Sequence, residues 1–176
     1  MTSQQFAYRL EQPTDADAIE ALNAEAFGPG RFARAAYRLR EGVPHDPRLS
    51  FVATADGILV ASVRLTPISI GGRAALLLGP LVVMPSFKGQ GAGRALVRIA
   101  LEAARRDGHS VVMLVGDEPY YGPLGFSRVA AYAITLPAPV DPARVLVAGL
   151  NEGALDGLSG PVMKAAIKGS DEISVA

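Results

Sequence analysis

The sequence has 176 residues, with seventeen basic and seventeen acidic side chains and no cysteine. This balanced charge argues against nucleic-acid and membrane partners, because no overall field would attract a polyanion. The absence of cysteine excludes disulfides, cysteine-ligated zinc, iron–sulfur clusters and thiol nucleophiles. The two histidines, His45 and His109, lie far apart in sequence, so we expect no metal site. A chain of this length is expected to form one domain, over residues 1–176.

The N-terminus and the apolar runs give no sign of export or membrane insertion. Residues 1–6 lack the basic and apolar blocks of a signal peptide. The longest apolar run, Ala74 to Met84, is too short to span a bilayer and is interrupted by Gly79-Pro80. Together with the lack of cysteine, this favours a cytoplasmic protein.

Two helical segments are predicted near the start of the chain. Thr14 and the acids after it are typical of a helix start, and apolar residues from Ile19 to Phe27 then share one helical face. The second segment, Arg31 to Glu41, is predicted to be a basic helix or a pair of turns. Its arginines could favour an acidic acceptor, although a charged face exposed to solvent is the simpler explanation. They are Arg31, Arg34, Arg38 and Arg40.

Two β-hairpins are predicted next. The first joins Leu49–Ala55 to Ile58–Leu65 through Asp56-Gly57, a strong turn signal. The second joins Pro67–Ile70 to Ala74–Met84, an almost wholly apolar strand that we expect to be buried on both faces.

The dipeptide Gly79-Pro80 interrupts that apolar strand. Proline cannot donate a ladder hydrogen bond and glycine has no side chain to pack, so the pair predicts a bulge at a place where two strands part.

A glycine-rich turn, Lys88 to Gly93, lies between the apolar strand and an amphipathic helix that Gly108 ends. Strands are predicted at Ser110–Val115 and Phe126–Leu136, and two later candidates at Val145–Leu150 and Pro161–Ile167. The later two could complete the sheet or pair with a second copy, which leaves a homodimer open.

The glycine-rich turn predicts an anion site, because backbone amides and a helix N-terminus converge on one point. A P-loop would need Gly-Lys-Ser or Gly-Lys-Thr, but Arg94-Ala95 follows Gly93. A dinucleotide fingerprint would need Gly-x-Gly-x-x-Gly, and neither Gly89 nor Gly91 starts one. An ordinary flexible connector remains an alternative.

The segment Lys88-Gly89-Gln90-Gly91-Ala92-Gly93 resembles the cofactor motif of the GNAT superfamily of N-acetyltransferases, Gln/Arg-x-x-Gly-x-Gly/Ala after a buried strand. Lys88 stands where Gln or Arg is usual, so we expect weakened pyrophosphate binding there. Further along, Tyr121-Gly122-Pro123-Leu124-Gly125-Phe126 is similar to the family's Tyr-x-x-x-Gly-Phe motif. The strand Gly79-Pro80-Leu81 and the Tyr120-Tyr121 pair are most similar to an uncharacterised bacterial branch.

The resemblance implies a mixed α/β (α+β) fold. Its central sheet would hold about six to eight mostly antiparallel strands flanked by helices, with a splay or bulge between the fourth and fifth. Residues 1–136 would form the matched core, and residues 137–176 a C-terminal strand extension.

The resemblance also implies a site. Acetyl-CoA, or another acyl-CoA, would be the co-substrate, and the acyl group would pass to a primary amine of a small molecule or protein. The Leu81 backbone amide would bind the oxyanion and Tyr121 would be the general acid, with Tyr120 as its competitor. The cofactor would also contact Leu81, Val82, Val83, Lys88, Gly89, Gln90, Gly91, Ala92, Gly93, Arg94 and Tyr121.

The general base stays open at this stage. Glu25 at the end of the first helix and Asp117 or Glu118 beside the tyrosines could take a proton from an ammonium group, but each is equally well explained as a solvated carboxylate.

Two other functions compete with acyl transfer. A sensor that binds acyl-CoA without turnover would fit the unassigned base and the lysine at position 88. An NAD-linked oxidoreductase would rest on the glycine-rich turn and Asp117, and the failed spacing disfavours it.

Overall fold

The computed structural model describes residues 4–165, apart from the side chain of Phe32. The described residues hold one central sheet with helices on both faces. Its strands are β1 Ala7–Leu10, β2 Phe51–Ala55, β3 Ile58–Ile70, β4 Arg73–Val83, β5 Val111–Val115, β6 Ser127–Arg128, β7 Ile134–Thr135, β8 Val145–Gly149 and β9 Gly160–Lys164. The α-helices are α1 Ala16–Phe27, α2 Ala35–Arg40, α3 Ala92–Arg106 and α4 Glu118–Tyr121. Short 3-10 turns lie at Pro13–Asp15, Pro29–Ala33, Pro85–Phe87, Gly122–Leu124 and Pro142–Arg144.

The main path of the sheet runs β1-β2-β3-β4-β5-β8-β6. Neighbours on this path are antiparallel except β4 and β5, which are parallel. The ninth strand, β9, pairs with the end of β3 and, in parallel, with β7. The expected mixed, mostly antiparallel fold is confirmed.

Alternation of apolar side chains along β4 explains how it is buried on both faces. Leu76 and Leu78 pack into the cluster that includes Leu96 of α3, whereas Leu77 packs on the opposite face with Leu39 of α2. Each fully buried leucine contributes about 1.5–3 kcal/mol relative to exposure. The two clusters therefore fix β4 firmly between the layers.

The strand count exceeds the expected six to eight for two local reasons. The short edge strand β1, of four residues, was not predicted. Its apolar side chains Tyr8 and Leu10 are both exposed, so the strand has no buried apolar face. The segment expected to be one strand over Phe126–Leu136 instead forms β6 and β7, with a turn at residues 131–133 between them.

The two predicted arms Ile58–Leu65 and Pro67–Ile70 are one continuous strand, β3. Pairing with β2 ends at Val63 and pairing with β9 begins at Ile68, so Pro67 lies in a gap along that edge. Its missing N–H does not break the sheet there, while its pairing with Leu76 on β4 continues.

The late strand candidates both belong to this sheet. Strand β8 lies between β5 and β6, and pairs with β5 along its whole length. Strand β9 covers Gly160–Lys164, and residues 166–167 of the predicted strand lie outside the described residues.

Candidate functional site

The two parallel strands β4 and β5 part near the middle of the sheet. Their ladder holds only Leu76 with Val112 and Leu77 with Met113. Residues 78–83 of β4 continue along β3 on the other side, so among the described strands they have no ladder partner on the β5 side. A gap therefore opens between Leu81 on β4 and the end of β5.

A bulge lies where the strands part, as predicted from Gly79-Pro80. The register with β3 steps from Leu78 opposite Leu65 to Leu81 opposite Val63, so β4 has one extra residue. The Gly79–Pro80 peptide is cis, and Gly79 has φ 133°, a conformation that favours glycine.

The glycine-rich turn lies directly after β4. Gly89 and Gly91 have φ of 77° and 93°, which a side chain would strain. Helix α3 begins at Ala92 with no side-chain cap, so the first amides of the helix have no side-chain acceptor. These amides and the partial positive charge of the helix N-terminus make the turn suited to an anion.

A cleft of about 660 Å³ runs from the turn to the gap. Most of the predicted cofactor-contacting residues line it: Leu81, Val83, Lys88, Gly89, Gly91, Ala92, Gly93, Arg94 and Tyr121. Val82 and Gln90 do not line the cleft. The Val82 side chain is buried, and the Gln90 side chain donates a hydrogen bond to the Ser86 carbonyl at 3.3 Å.

Tyr120 closes one wall of this cleft. Its hydroxyl lies against Gly93 and its ring stacks under the Arg94 guanidinium, 5.3 Å from the ring centroid. Burial raises the pKa of Tyr120, and the nearby Arg94 lowers it by less. Tyr120 lines only the cleft, so it is a wall of the anion site.

A second cavity of about 790 Å³ lies on the other side of the gap. It is formed by α1, α2, the bulge of β4 and residues 139–144. Leu81, Asp117 and Tyr121 line both the cleft and this cavity. A molecule in the cleft and a molecule in the cavity would therefore meet at these residues.

Tyr121 is held firmly at this junction. A Cβ at Gly116 would lie 2.5 Å from Tyr121 Cε2, so only glycine leaves room for the ring. Phe126 packs edge-on against it at 5.8 Å between centroids, and Tyr120 does so at 4.8 Å. Burial raises the pKa of Tyr121 to about 12, helped by Tyr120 and Asp117 and opposed by Arg144. The phenol is therefore protonated at neutral pH.

Of the three carboxylates considered as the base, Glu25 and Glu118 line neither cavity. Glu25 is exposed on α1. Glu118 forms an ion pair with Arg128. Asp117 does line both cavities, and its carboxylate pairs with Arg144 at 3.2 Å.

The cavity contains residues that no local sequence pattern identified. His45 and Arg64 line it, and both bond to Glu11, at 3.3 Å and 2.6 Å. Burial alone would raise the pKa of Glu11, but hydrogen bonds from His45 and Arg64 outweigh it and lower the pKa to about 2. Only the fold brings β3 and residues 11 and 45 together, so sequence spacing could not find this network.

The expectation of no metal site rested on sequence spacing alone. The fold brings ligand atoms of Asp46, Asp107 and His109 within 4.8 Å of one another. Arg48 bridges the two carboxylates, at 2.8 Å and 3.1 Å. The Arg48 guanidinium therefore lies between the carboxylates of Asp46 and Asp107.

A mixed sheet that parts between two parallel strands, with a glycine-rich turn and helix N-terminus beside the gap, is the architecture of the coenzyme A-dependent N-acetyltransferases. The chain belongs to the acetyltransferase (GNAT) family, whose family model matches residues 16–126. The resemblance seen in the sequence is thereby confirmed.

Relatives extend the similarity beyond that segment. The uncharacterised N-acetyltransferase YhbS of Escherichia coli K12 is 31% identical over 157 residues, covering 88% of this chain and 93% of that protein. The uncharacterised N-acetyltransferase YjhQ of the same strain is 30% identical over 134 residues, covering 74% of each.

Solved structures agree in fold. YhbS from Escherichia coli in complex with CoA has a TM-score of 0.78 and 29% identity, covering 93% of this chain and 92% of that one. A GNAT acetyltransferase from Brucella melitensis in complex with acetyl-CoA has a TM-score of 0.65 and 26% identity, covering 93% and 97%.

The longest described helix, α3, has fifteen residues, and no helix among the described residues has the length and apolar character needed to cross a bilayer.

Proposed function

We propose that this protein transfers an acetyl or other short acyl group from acyl-CoA to a primary amine by direct attack on the thioester. The observation that carries the proposal is the junction of the two cavities at Leu81, Asp117 and Tyr121. A thioester reaching this junction from the cleft would face an amine coming from the cavity. The CoA-bound structural neighbours support the choice of cofactor.

The glycine-rich turn would hold the pyrophosphate of the cofactor. The free amides at the start of α3 would donate to phosphate oxygens, and the exposed Lys88 and Arg94 would add positive charge. Phosphate contacts from Gln90 would use its backbone, because its side chain turns back to Ser86. The pantetheine arm would then run along Leu81 and Val83 into the gap, with Val82 contributing only backbone groups.

The reaction forms one C–N bond and breaks one C–S bond. The acceptor ammonium loses a proton to water, and the free amine attacks the thioester carbonyl carbon. The Leu81 amide would donate to the oxyanion that develops there. Collapse of the intermediate expels the CoA thiolate, and the remaining extra proton on nitrogen also leaves to water. Glu25, Asp117 and Glu118 stay predictions as bases, and of these three Asp117 lines the cavity.

Tyr121 would stabilise the departing sulfur by a hydrogen bond. With a pKa of about 12, the phenol keeps its proton at neutral pH. Complete transfer to a thiolate, whose conjugate acid has an ordinary pKa of about 8.5, would be unfavourable by about 3.5 pKa units. We therefore assign Tyr121 the role of a hydrogen-bond donor to developing negative charge, with water supplying the proton that the released thiolate finally takes up.

The domain organisation and the location of the protein are also proposals. We propose that residues 1–176 form a single transferase domain, because one sheet unites strands from β1 to β9. The cytoplasmic location favoured by the cysteine-free sequence stays a prediction.

Calorimetric titration with acetyl-CoA, followed by a free-thiol assay over a panel of amines, tests this function. We expect saturable binding at submillimolar concentration and amine-dependent release of thiol. The absence of binding would exclude the proposal, whereas binding without thiol release on any amine would favour an acyl-CoA sensor. A parallel titration with NAD addresses the oxidoreductase alternative.

A further inference from the structure

Arg40, the last residue of α2, places its guanidinium at the bulge of β4. A Cβ added at Gly79 would lie 3.1 Å from Arg40 Nη1 and 4.0 Å from the Leu81 backbone nitrogen. The guanidinium and the Leu81 amide therefore flank the same point in the cavity. Arg40 also lines that cavity and does not line the cleft beside the glycine-rich turn.

The charge of Arg40 is not neutralised by any described residue. Burial lowers its pKa to about 10, with Arg64 lowering it further and Tyr37 raising it, so the group is still cationic at neutral pH. No carboxylate among residues 4–165 lies within ion-pairing distance of it. A partly buried cation without an anion is costly, and an anionic ligand would remove that cost.

Each of the other arginines that line the cavity either forms an ion pair with a carboxylate or is exposed to solvent. Arg31 pairs with Glu20 at 2.7 Å, and Arg64 with Glu11 at 2.6 Å. Arg144 pairs with Asp117, and the exposed Arg34 stacks on Phe27 at 5.4 Å. The cavity is lined by these five arginines against three carboxylates, so its charge balance also favours an anion.

We propose that the acceptor is a small amine that carries a carboxylate or phosphate group a few bonds from its nitrogen, and that Arg40 binds this anionic group. The inference rests on the proposed acyl transfer. Binding at Arg40 would place the amine next to the Leu81 amide, where the thioester carbonyl would lie. The planar guanidinium can bind either anion through two parallel hydrogen bonds.

This arrangement predicts discrimination between an anionic acceptor and its neutral counterpart. A neutral analogue would leave Arg40 unpaired, and hydrogen bonds to a charged group are worth about 1.5–3 kcal/mol, or roughly 10- to 100-fold. The appropriate pairs are glycine with glycinamide, and O-phosphoethanolamine with ethanolamine. Thiol release at saturating acetyl-CoA gives kcat/KM for each, and the two pairs separate carboxylate from phosphate recognition.

We expect at least one anionic member to exceed its neutral partner by about tenfold or more in kcat/KM. With kcat/KM expressed per concentration of free amine, equal or better use of both neutral members would overturn the proposal without any variant being made. Because this comparison uses only the wild-type protein, it does not depend on whether a substituted chain folds.

Variants then assign the preference to Arg40. Arg40→Gln should raise KM for the preferred anionic acceptor about 10- to 100-fold while leaving its neutral partner nearly unchanged, and Arg40→Lys should recover only part of the loss. Arg38→Gln is the matched control, since Arg38 lies on the same helix, is exposed and does not line the cavity. If Arg40→Gln lowered kcat/KM equally for the anionic and the neutral acceptor, the proposal would be overturned. Arg40 would then act on the thioester and not on the acceptor.

Failure of this proposal can be told apart from failure of acyl transfer. If acetyl-CoA binds but no amine releases thiol, transfer fails, and calorimetry with N-acetylglycine and N-acetylglycinamide on the CoA-bound protein still tests the anion site. Binding of the carboxylate alone, lost in Arg40→Gln but kept in Arg38→Gln, would support it. Equal binding of both compounds, or of neither, would exclude carboxylate recognition, and the same result with N-acetyl-O-phosphoethanolamine and N-acetylethanolamine would overturn the proposal.

Discussion

The hydroxyl of Tyr120 lies directly over Gly93, in the first turn of α3. A Cβ at Gly93 would be 2.7 Å from that oxygen and 3.2 Å from Val83 Cγ2. Gly93 has no positive φ, so the conformation itself does not require glycine. The close contact with Tyr120 is what requires glycine at position 93. Through this contact the first turn of α3 packs against the wall of the cleft.

Gly93→Ala should therefore weaken acetyl-CoA binding. The added methyl group must displace Tyr120 from the cleft wall, and we expect Kd to rise about tenfold, as for a loss of roughly 1.4 kcal/mol. Calorimetry measures the change. Combining it with Tyr120→Phe removes the obstructing oxygen and should recover much of the affinity. If the double variant binds no better than Gly93→Ala alone, the contact does not explain the effect.

Tyr121→Phe should lower turnover by about two orders of magnitude, as expected for one hydrogen-bond donor to developing charge. Acetyl-CoA binding should persist, because the ring still fills the space beside Gly116. The free-thiol assay under saturating substrates gives kcat, and calorimetry gives Kd. Tyr132→Phe is the matched control, since Tyr132 is 79% exposed and lines neither cavity. Near-normal kcat in Tyr121→Phe would remove this residue from the mechanism.

The pKa of about 12 at Tyr121 predicts how the proposed acyl transfer behaves at alkaline pH. A raised pKa means that the phenol stays protonated, and able to donate, up to well above pH 10. We expect kcat to show no fall between pH 7 and 10 that depends on this hydroxyl. Comparing kcat profiles of the wild type and Tyr121→Phe measures this. A fall of kcat near pH 8 or 9 that is seen in the wild type and is absent in Tyr121→Phe would contradict this expectation.

The glycine-rich turn and the bulge beside the gap were predictable because their signals are local in sequence. Gly89, Gly91 and Gly93 stand in the turn itself, and Gly79-Pro80 marks the bulge by its own backbone chemistry. Most of the residues from Leu81 to Arg94 that were predicted to contact a cofactor line the cleft, and their contact with a cofactor stays a prediction.

The second cavity, the proposed acceptor site, could not be predicted in the same way, because it is assembled from distant segments. Arg40 was one of four arginines on a segment whose charge suggested solvent exposure, and only the packing of α2 against the sheet distinguishes it from Arg38. Likewise, Glu11 and Arg64 are 53 positions apart and meet only because β1 and β3 flank β2. Periodicity assigns each residue to an element but does not say which elements meet.

That Glu11 network should govern acid stability. The folded pKa of about 2 lies below the ordinary value of 4.5, so its stabilisation is complete above about pH 4.5 and is lost as the pH falls toward 2. Glu11→Gln should lower the free energy of unfolding at pH 7 by about 3 kcal/mol, because it leaves Arg64 without its anion. The variant should also lose less stability than the wild type between pH 4.5 and 2. Urea denaturation at a series of pH values measures both effects, with the exposed Glu152→Gln as control. If the free energy of unfolding fell equally with pH between 4.5 and 2 in the wild type and in Glu11→Gln, another carboxylate would control acid unfolding.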